Sequence, residues 1–520
     1  MLPALNLDYP MLSELHPFQF HIVAACLLLV AMYVYYRDRL RTVPGPVLAR
    51  WTPLWLGYHA RMGRRYLVVD SAHKKYGPIV RITPNHVSVA HPSAVGIVYG
   101  HIQGGAEATT SFDKSAFYDA FVSAGTPSVF STRSRKDHAF KRRIVSQAFS
   151  YRALEQFSPF IQANVGVFVG RLDAMCGDEV PVNLVTWLNY LTFDVLSDLA
   201  FGEPLGMLAS GTSIVSVEQP DGTLREEDAI ALVDGREHLS AVLGINPWFP
   251  LLAKVLSYSD SFFRYGIESS SGLADFARRN VSKRLNSGAY RADILGKLIE
   301  ARTRDGVEVD ESMLRELVAE TVTLLSAGSD TTASSVAALV YLVKTHPEVH
   351  RKLVMELESS ISVQEIPTHP QVKDLPYLQA VINEGLRHYA TMASGLPRLV
   401  PQGGVELLGT YIPAGTEISV PAYTLQHEES IWGGDPEVFR PERWLEAPEK
   451  GQYLSKYLLT FGKGPRACLG KNLAYMETQL MLATVILRYN IQIESDVLES
   501  TEGFVHKTTG LMVKLSRRKC

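Results

Sequence analysis

Residues 18–36 read FQFHIVAACLLLVAMYVYY, nineteen positions without a charged side chain. At about 1.5 Å per residue such a helix nearly spans a ~30 Å hydrocarbon layer. No Lys or Arg precedes it, whereas Arg37, Arg39 and Arg41 follow at once. The positive-inside rule then places residues 1–17 outside the cytosol, 18–36 across the membrane as an anchor, and the rest in the cytosol. A cleaved signal peptide would want a basic stretch before the apolar run and a small-residue cleavage site after it; neither is present. Residues 37–46 read as a basic linker ending in Pro44-Gly45-Pro46, which breaks any helix.

Beyond residue 46, apolar positions recur with the helical period over 134–149, 152–174, 182–201, 272–286, 311–345, 347–359 and 374–390, and Pro347 separates two of these. A last apolar helix runs from Gly470 to about residue 488. Runs rich in Val, Ile and Thr at 78–90 and 405–421, bounded by Gly and Pro, predict strands. The body, 47–520, is therefore one mainly α domain with a minor β portion, preceded by one transmembrane helix. Within 311–345 the stretch Ala327-Gly328-Ser329-Asp330-Thr331-Thr332 sets small and polar residues into a buried helix, which predicts a local distortion. A helix that simply packs closely through Gly328 is the competing reading.

Hydrophobic residues make up 46% and charged residues 20%, which excludes disorder. A net charge of −3 excludes nucleic acid as the main partner. The cysteines, Cys26, Cys176, Cys468 and Cys520, lie far apart with no CxxC pair, against a disulfide scaffold or a zinc module. His346 and His350 share a helix face without a carboxylate ligand nearby, a poor metal site. Asn280-Val281-Ser282 is a glycosylation sequon that a cytosolic body would not use, and Cys520 lacks the residues a prenylation box needs.

The most informative stretch is FGKGPRACLG, residues 461–470. Such a loop holds a thiolate rigidly, with backbone N–H groups facing the sulfur. Gly464 permits a turn that a Cβ would block. Phe461 is placed to cover the sulfur, and Arg466 to meet an anion. Gly462 to Ala467 also fits GxGxxA, but the flanking pattern is not the βαβ unit a dinucleotide site requires.

This segment is similar to the Phe-x-x-Gly-x-Arg-x-Cys-x-Gly signature of the cytochrome P-450 monooxygenases, with all five positions matched at Phe461, Gly464, Arg466, Cys468 and Gly470. The resemblance, over roughly 45–515, implies the P-450 fold and a haem (iron protoporphyrin IX) whose axial iron ligand is the Cys468 thiolate. It further implies that Glu384 and Arg387 join Arg443 in a buried charge network. Ala327 and Gly328 would admit O2, and Thr331 with Asp330 would relay protons to it. His138, standing where Trp is common, Arg142 and Arg398 correspond to positions near the haem propionates. The helix face at 141–143, with Lys463, Arg466 and Lys471, would steer an acidic electron donor. For a microsomal member that donor is NADPH–cytochrome P-450 reductase, and the place is the endoplasmic reticulum membrane, single-pass, with a cytosolic catalytic domain. No flavin or nicotinamide motif occurs in the chain.

Residues 111–121, 133–143, 396–401 and 420–424 look closest to the fungal benzoate 4-monooxygenase group. Substrate choice would fall to loops around 101–130, 203–260, 391–397 and 501–505, with Thr391 to Leu396 lining a small pocket. Lys114 reads as a surface lysine, with a substrate carboxylate as its alternative partner. The implied activity is oxidation of a small hydrophobic molecule with O2 and NADPH-derived electrons, in aromatic or secondary-metabolite biosynthesis. Benzoate para-hydroxylation in aromatic-acid catabolism is one alternative. A non-catalytic haem electron carrier or sensor is another, disfavoured by Asp330 and Thr331; rearrangement of a peroxide without outside electrons is a third.

Overall fold

The computed structural model describes residues 38–100, 112–218, 222–246, 248–287, 291–303 and 309–518. The expected non-cytosolic segment 1–17 and anchor 18–36 lie outside the described residues, within which no helix is long and apolar enough to cross a membrane. Residues 38–46 are fastened to the body. Asp38 pairs with Arg81 at 2.5 Å, and the Pro44 carbonyl accepts from the Arg81 N–H at 2.8 Å. Gly45 lies so close that a Cβ would meet the Arg81 carbonyl oxygen at 2.3 Å.

In chain order the principal elements begin with α1 (Leu54–Arg61), α2 (Arg65–Tyr76), β1 (Ile79–Thr83), β2 (His86–Val89), α3 (Pro92–Tyr99) and β3 (Asp113–Lys114). Next come α4 (Arg135–Ala148), α5 (Tyr151–Ala174), β4 (Val182–Asn183), α6 (Leu184–Phe201), α7 (Ala229–Leu243), α8 (Phe249–Leu256), α9 (Ser261–Asn286) and α10 (Ile294–Thr303). The long α11 (Glu311–Thr345) precedes α12 (Pro347–Ser360), α13 (Pro376–Tyr389), β5 (Arg398–Leu399), β6 (Glu417–Ser419) and α14 (Lys471–Arg488). The chain closes with β7 (Tyr489–Ile493), β8 (Glu499–Glu502), β9 (His506–Gly510) and β10 (Met512–Arg517). The expected helices are present, with polar caps where the sequence offers them: Ser134, Ser150, Asn183 and Asp310 each accept a first-turn N–H. The helix expected at 272–286 starts eleven residues earlier, where Asp260 caps it.

The largest sheet runs β1-β2-β6-β5-β3, with β2 and β6 parallel and the other neighbours antiparallel. A second sheet, β7-β10-β4, ties the C-terminus to the start of α6. The hairpin β8–β9 stands alone. Its Glu502 is buried, paired with Arg65 of α2 at 3.2 Å and accepting the Tyr66 N–H at 2.8 Å.

The centre of the core is α11, packed against α6, α9, α13 and α14. The distortion expected at 327–332 is absent: α11 is continuous α-helix. The hydroxyls of Ser329, Thr331 and Ser335 donate to carbonyls four residues back, at 2.7, 2.6 and 2.7 Å, so they are satisfied without opening the helix.

A charge network holds the segment that leads to Cys468. Glu384, Arg387 and Arg443 are fully buried. The Glu384 carboxylate meets Arg387 at 2.9 and 3.0 Å and Arg443 at 2.9 Å, and also accepts the Trp444 indole N–H and the Arg440 N–H. The remaining guanidinium donors reach carbonyls of Gln426, Trp432, Asp435, Pro436 and Val438. Gln426 then accepts the Leu459 N–H at 2.7 Å, so the network ends at the start of the cysteine loop. Burial opposes ionisation of Glu384, yet the two guanidinium groups and their hydrogen bonds hold its carboxyl below the usual range. Glu384→Gln is expected to remove about 3–5 kcal/mol of stability, measured by urea denaturation followed through tryptophan fluorescence. Because the folded-state value is lowered, the difference from wild type is full near neutral pH. It shrinks as pH falls through that lowered value.

Candidate active site

The cysteine loop has its shape imposed by one close approach. Gly464 adopts φ +68°, and a Cβ there would meet the Tyr99 carbonyl oxygen at 1.9 Å. Tyr99 ends α3, and its hydroxyl donates to the Leu396 carbonyl at 2.8 Å while accepting the Val420 N–H at 3.1 Å. The Cys468 N–H donates to the Phe461 carbonyl at 2.8 Å, closing the loop on itself. Cys468 lies deep in the molecule, yet its side chain faces open space. Burial pushes its thiol up; the N–H groups of Gly470 and Lys471 and the Arg142 charge pull the other way. A metal at the sulfur would complete that opposition, because coordination deprotonates a thiol outright.

On α11, buried along most of its middle, Ala327 is exposed and Thr331 half-buried. Glu477 of α14, nine residues after Cys468, is fully buried, raised to about 8 by burial, and hydrogen-bonded to Thr332. That contact joins the helix after the cysteine to the helix bearing Thr331. Gly328 points elsewhere. A Cβ on it would meet Leu196 of α6 at 2.8 Å, so close helix packing, not oxygen access, accounts for this glycine. Asp330 is buried, with Oδ2 3.6 Å from Lys507 and burial raising its carboxyl to about 8, helped by Asp234.

On the rim gather Arg142, Arg398, Arg466, His138 and Lys114. Lys114 of β3 stands directly opposite Arg398 of β5 in the antiparallel register. It is buried, which overturns the surface reading: its ammonium donates to the Phe130 and Val129 carbonyls and sits 4.8 Å over the Tyr118 ring. Arg398 donates to the Tyr118 hydroxyl and, at 3.0 Å, to the Pro397 carbonyl. Arg142 donates to the Ala467 carbonyl at 2.8 Å, against the loop itself. Arg466 reaches only the Thr132 and Arg133 carbonyls, at 3.5 and 3.4 Å. Among the described residues none of these four cations is in an ion pair. Burial lowers Arg142, and burial together with the neighbouring cations lowers three more groups: Arg466 falls to about 10, Lys114 falls well below its ordinary value, and His138 falls to about 3. A cluster of this kind calls for a polyanion at its centre, and the two propionates of a haem supply one. The cradle and its charge therefore fit the group.

Other expectations fare differently. Phe461 packs on Tyr475 (centroids 5.2 Å apart) with the Lys471 ammonium 6.0 Å from its ring, on the outer face of the loop. Lys141, expected on the basic face, turns inward to Glu316 and Glu320, at 3.5 and 3.8 Å. Ser394, expected in the pocket, donates to Glu502 and accepts from Arg65 at 2.9 Å. Nothing along the chain marks Tyr118, Gln426 or Glu477, whose importance arises only from their neighbours in space.

Residues 43–515 match the Cytochrome P450 family. The chain belongs to the cytochrome P450 family. It is 38% identical to benzoate 4-monooxygenase bphA of Aspergillus niger, over 97% of this chain and 98% of that one. It is 32% identical to cytochrome P450 monooxygenase prhB of Penicillium brasilianum, over 96% and 99%, and 31% identical to BOT4 of Botryotinia fuckeliana, over 96% and 93%. A P450 monooxygenase is an oxidoreductase that holds haem through a cysteine thiolate and takes its electrons from a redox partner.

Proposed function

We propose that this P450 oxidises a small, flat, uncharged organic molecule in fungal aromatic or secondary-metabolite biosynthesis. The observation that carries this is a cluster of rings. Phe121, Phe130 and Phe504 touch one another with centroids 4.7–5.5 Å apart. Phe117, Tyr118, Met392 and Leu396 pack around them. Tyr118 meets Arg398 on the rim, while the Phe121 carbonyl accepts from Arg236, which lies 3.5 Å from Ser326 beside Ala327. The rings thus bridge the cationic rim and the open stretch of α11, and aromatic walls favour an aromatic guest.

Charge favours a neutral one. Arg236 is paired with Glu237, and Lys507 with Asp234 and Asp330. A second reading, benzoate para-hydroxylation, draws on the resemblance to bphA and would use Lys114, the cation over the Tyr118 and Phe130 rings that no carboxylate pairs among the described residues. Titrating the ferric enzyme and following the haem spin state separates the two. Methyl benzoate is expected to shift it at concentrations where benzoate does not; the reverse order favours the acid.

Haem held by a thiolate supplies the activation of O2. Cys468 would be its axial ligand, and Arg142, Arg398, Arg466 and His138 would hold the propionates, with neutral His138 as a hydrogen-bond donor. Ala327 is exposed on α11, where the resemblance would admit O2. The Thr331 hydroxyl holds a hydrogen-bonding position there, its own proton directed to the Ala327 carbonyl at 2.6 Å. Asp330, the preceding residue, has its carboxyl raised to about 8 by burial and by Asp234, which suits it to carry a proton for this step. Thr331→Ala is expected to lower product formed per NADPH consumed and to raise peroxide release; unchanged coupling would count against the relay.

On the outer face of the cysteine loop, a cleft of about 470 Å3 is bounded by Lys463, Lys471, Gln379, Asn383 and Tyr475. Lysines at this mouth support docking of the acidic NADPH–cytochrome P-450 reductase. The membrane reading of residues 18–36 gains support from apolar side chains on the body. Val47, Leu48, Trp51, Leu54 and Tyr58 are exposed on the short helix Val47–Trp51 and on α1, as are Trp248, Leu251, Val255 and Tyr258 around α8. The two sets adjoin where Phe249 would lie 3.1 Å from a Cβ on Gly57. Such a patch marks a lipid-contacting face. A chain lacking residues 1–36 is expected to float with phospholipid vesicles, and Leu251→Ser with Val255→Ser to weaken that flotation.

A further inference from the structure

We propose that Asp234 and Asp330 are a proton-sharing carboxylate pair, positioned by Lys507, which links the buried end of the proton relay to solvent. The inference rests on the relay reading of Asp330 and Thr331 and adds to it two residues from distant parts of the chain.

Three elements meet here. Asp330 lies in the middle of α11, Asp234 on α7, and Lys507 on β9 of the C-terminal hairpin. The Lys507 ammonium contacts Asp234 Oδ1 and lies 3.6 Å from Asp330 Oδ2. Asp330 Oδ1, fully buried, finds no donor among the described residues. Its carboxylate nevertheless lies within hydrogen-bonding reach of the Asp234 side chain. Two bare carboxylates in that position repel each other. One proton between them turns the repulsion into an O–H···O bond and satisfies the orphan oxygen.

The surrounding charges point the same way. From α7, Asp234, Arg236 and Glu237 face this region; from β9, Lys507 does. Arg236 is committed to Glu237, with further donors to the Phe121 carbonyl and the Ser123 and Ser326 hydroxyls. Three carboxylates therefore face two cations, and one bound proton balances them. Burial and the Asp234 charge raise Asp330 to about 8, while Lys507 opposes the rise.

Exposure sets the direction of flow. The Asp330 side chain is 5% exposed, Lys507 16% and Asp234 38%. A proton taken from water by Asp234 passes to Asp330 and on to the hydrogen-bonded position at Thr331. Asp234 is left as the charged member of the pair, as it began, so each carboxyl returns to its starting charge. Because Asp234 and Lys507 sit on α7 and the β8–β9 hairpin, displacement of either element would open this path.

The test reads the pair in resting ferric enzyme, without turnover, by infrared titration of the deuterium-sensitive carboxylic acid C=O stretch. Wild type is expected to show a protonated carboxyl at neutral pH that titrates near 8 and is absent from Asp330→Asn. Asp234→Asn removes the neighbouring negative charge and the acceptor, so the midpoint falls; Lys507→Met removes the positive charge, so it rises. Shifts of about 1–3 pH units in opposite directions are expected. Lys507→Arg, which keeps the charge, should restore the wild-type midpoint even where Asp234→Asn folds poorly. A band that survives in Asp330→Asn, or shifts of the same sign in both charge variants, overturns the proposal. Thr331→Ala should leave this titration in place. If it also leaves coupling intact, the relay reading fails while the pair stands.

Discussion

One approach of backbone to backbone governs the site. Gly464 lies against the carbonyl at the end of α3, where no side chain fits, and this fixes the course of the loop before Cys468. Through Tyr99 the same contact reaches the segments at 396 and 420. From the other side, Gln426 and the Glu384–Arg387–Arg443 network hold the loop's beginning. The sulfur is thus clamped at both ends by interactions whose donors and acceptors are nearly all matched, and a matched buried network favours one geometry over its competitors.

The charge distribution divides the interior in two. On the rim, cations outnumber partners and await an anion. Beneath α7, carboxylates outnumber cations and retain a proton. Both imbalances lie in low-dielectric surroundings where they cannot be screened away. The first holds a cofactor; the second supplies what its chemistry consumes. Between them stand the phenylalanine rings, a packed apolar layer that joins the rim to the region below α7.

Much of this could be read along the chain. The helical periods located α4, α5, α6, α11, α12, α13 and α14 within a few residues, because each buries a continuous stripe. The cysteine loop and the Glu-x-x-Arg pair were legible because their function depends on local spacing. What stayed hidden depends on juxtaposition. Lys114 looked solvent-facing because a lone lysine in a polar stretch gives no periodic signal, yet β3 carries it inside. Gly328 looked like an opening, but whether a glycine borders a cavity or a neighbouring helix is settled only by which side Leu196 approaches. The kink expected at 327–332 is absent: the hydroxyls find acceptors within the helix, and tight packing against its neighbours keeps α11 continuous. Asp234 and Lys507, 273 residues apart, carry no mark of their shared role until the hairpin closes on α7.

The facing of Lys114 and Arg398 bears on the stability of one corner of the sheet. Like charges opposite each other across a strand pair weaken it, and β3 is only two residues long at the border of its sheet. An anion against both cations removes that penalty, so the hold of this border strand is tied to the charge that the rim receives.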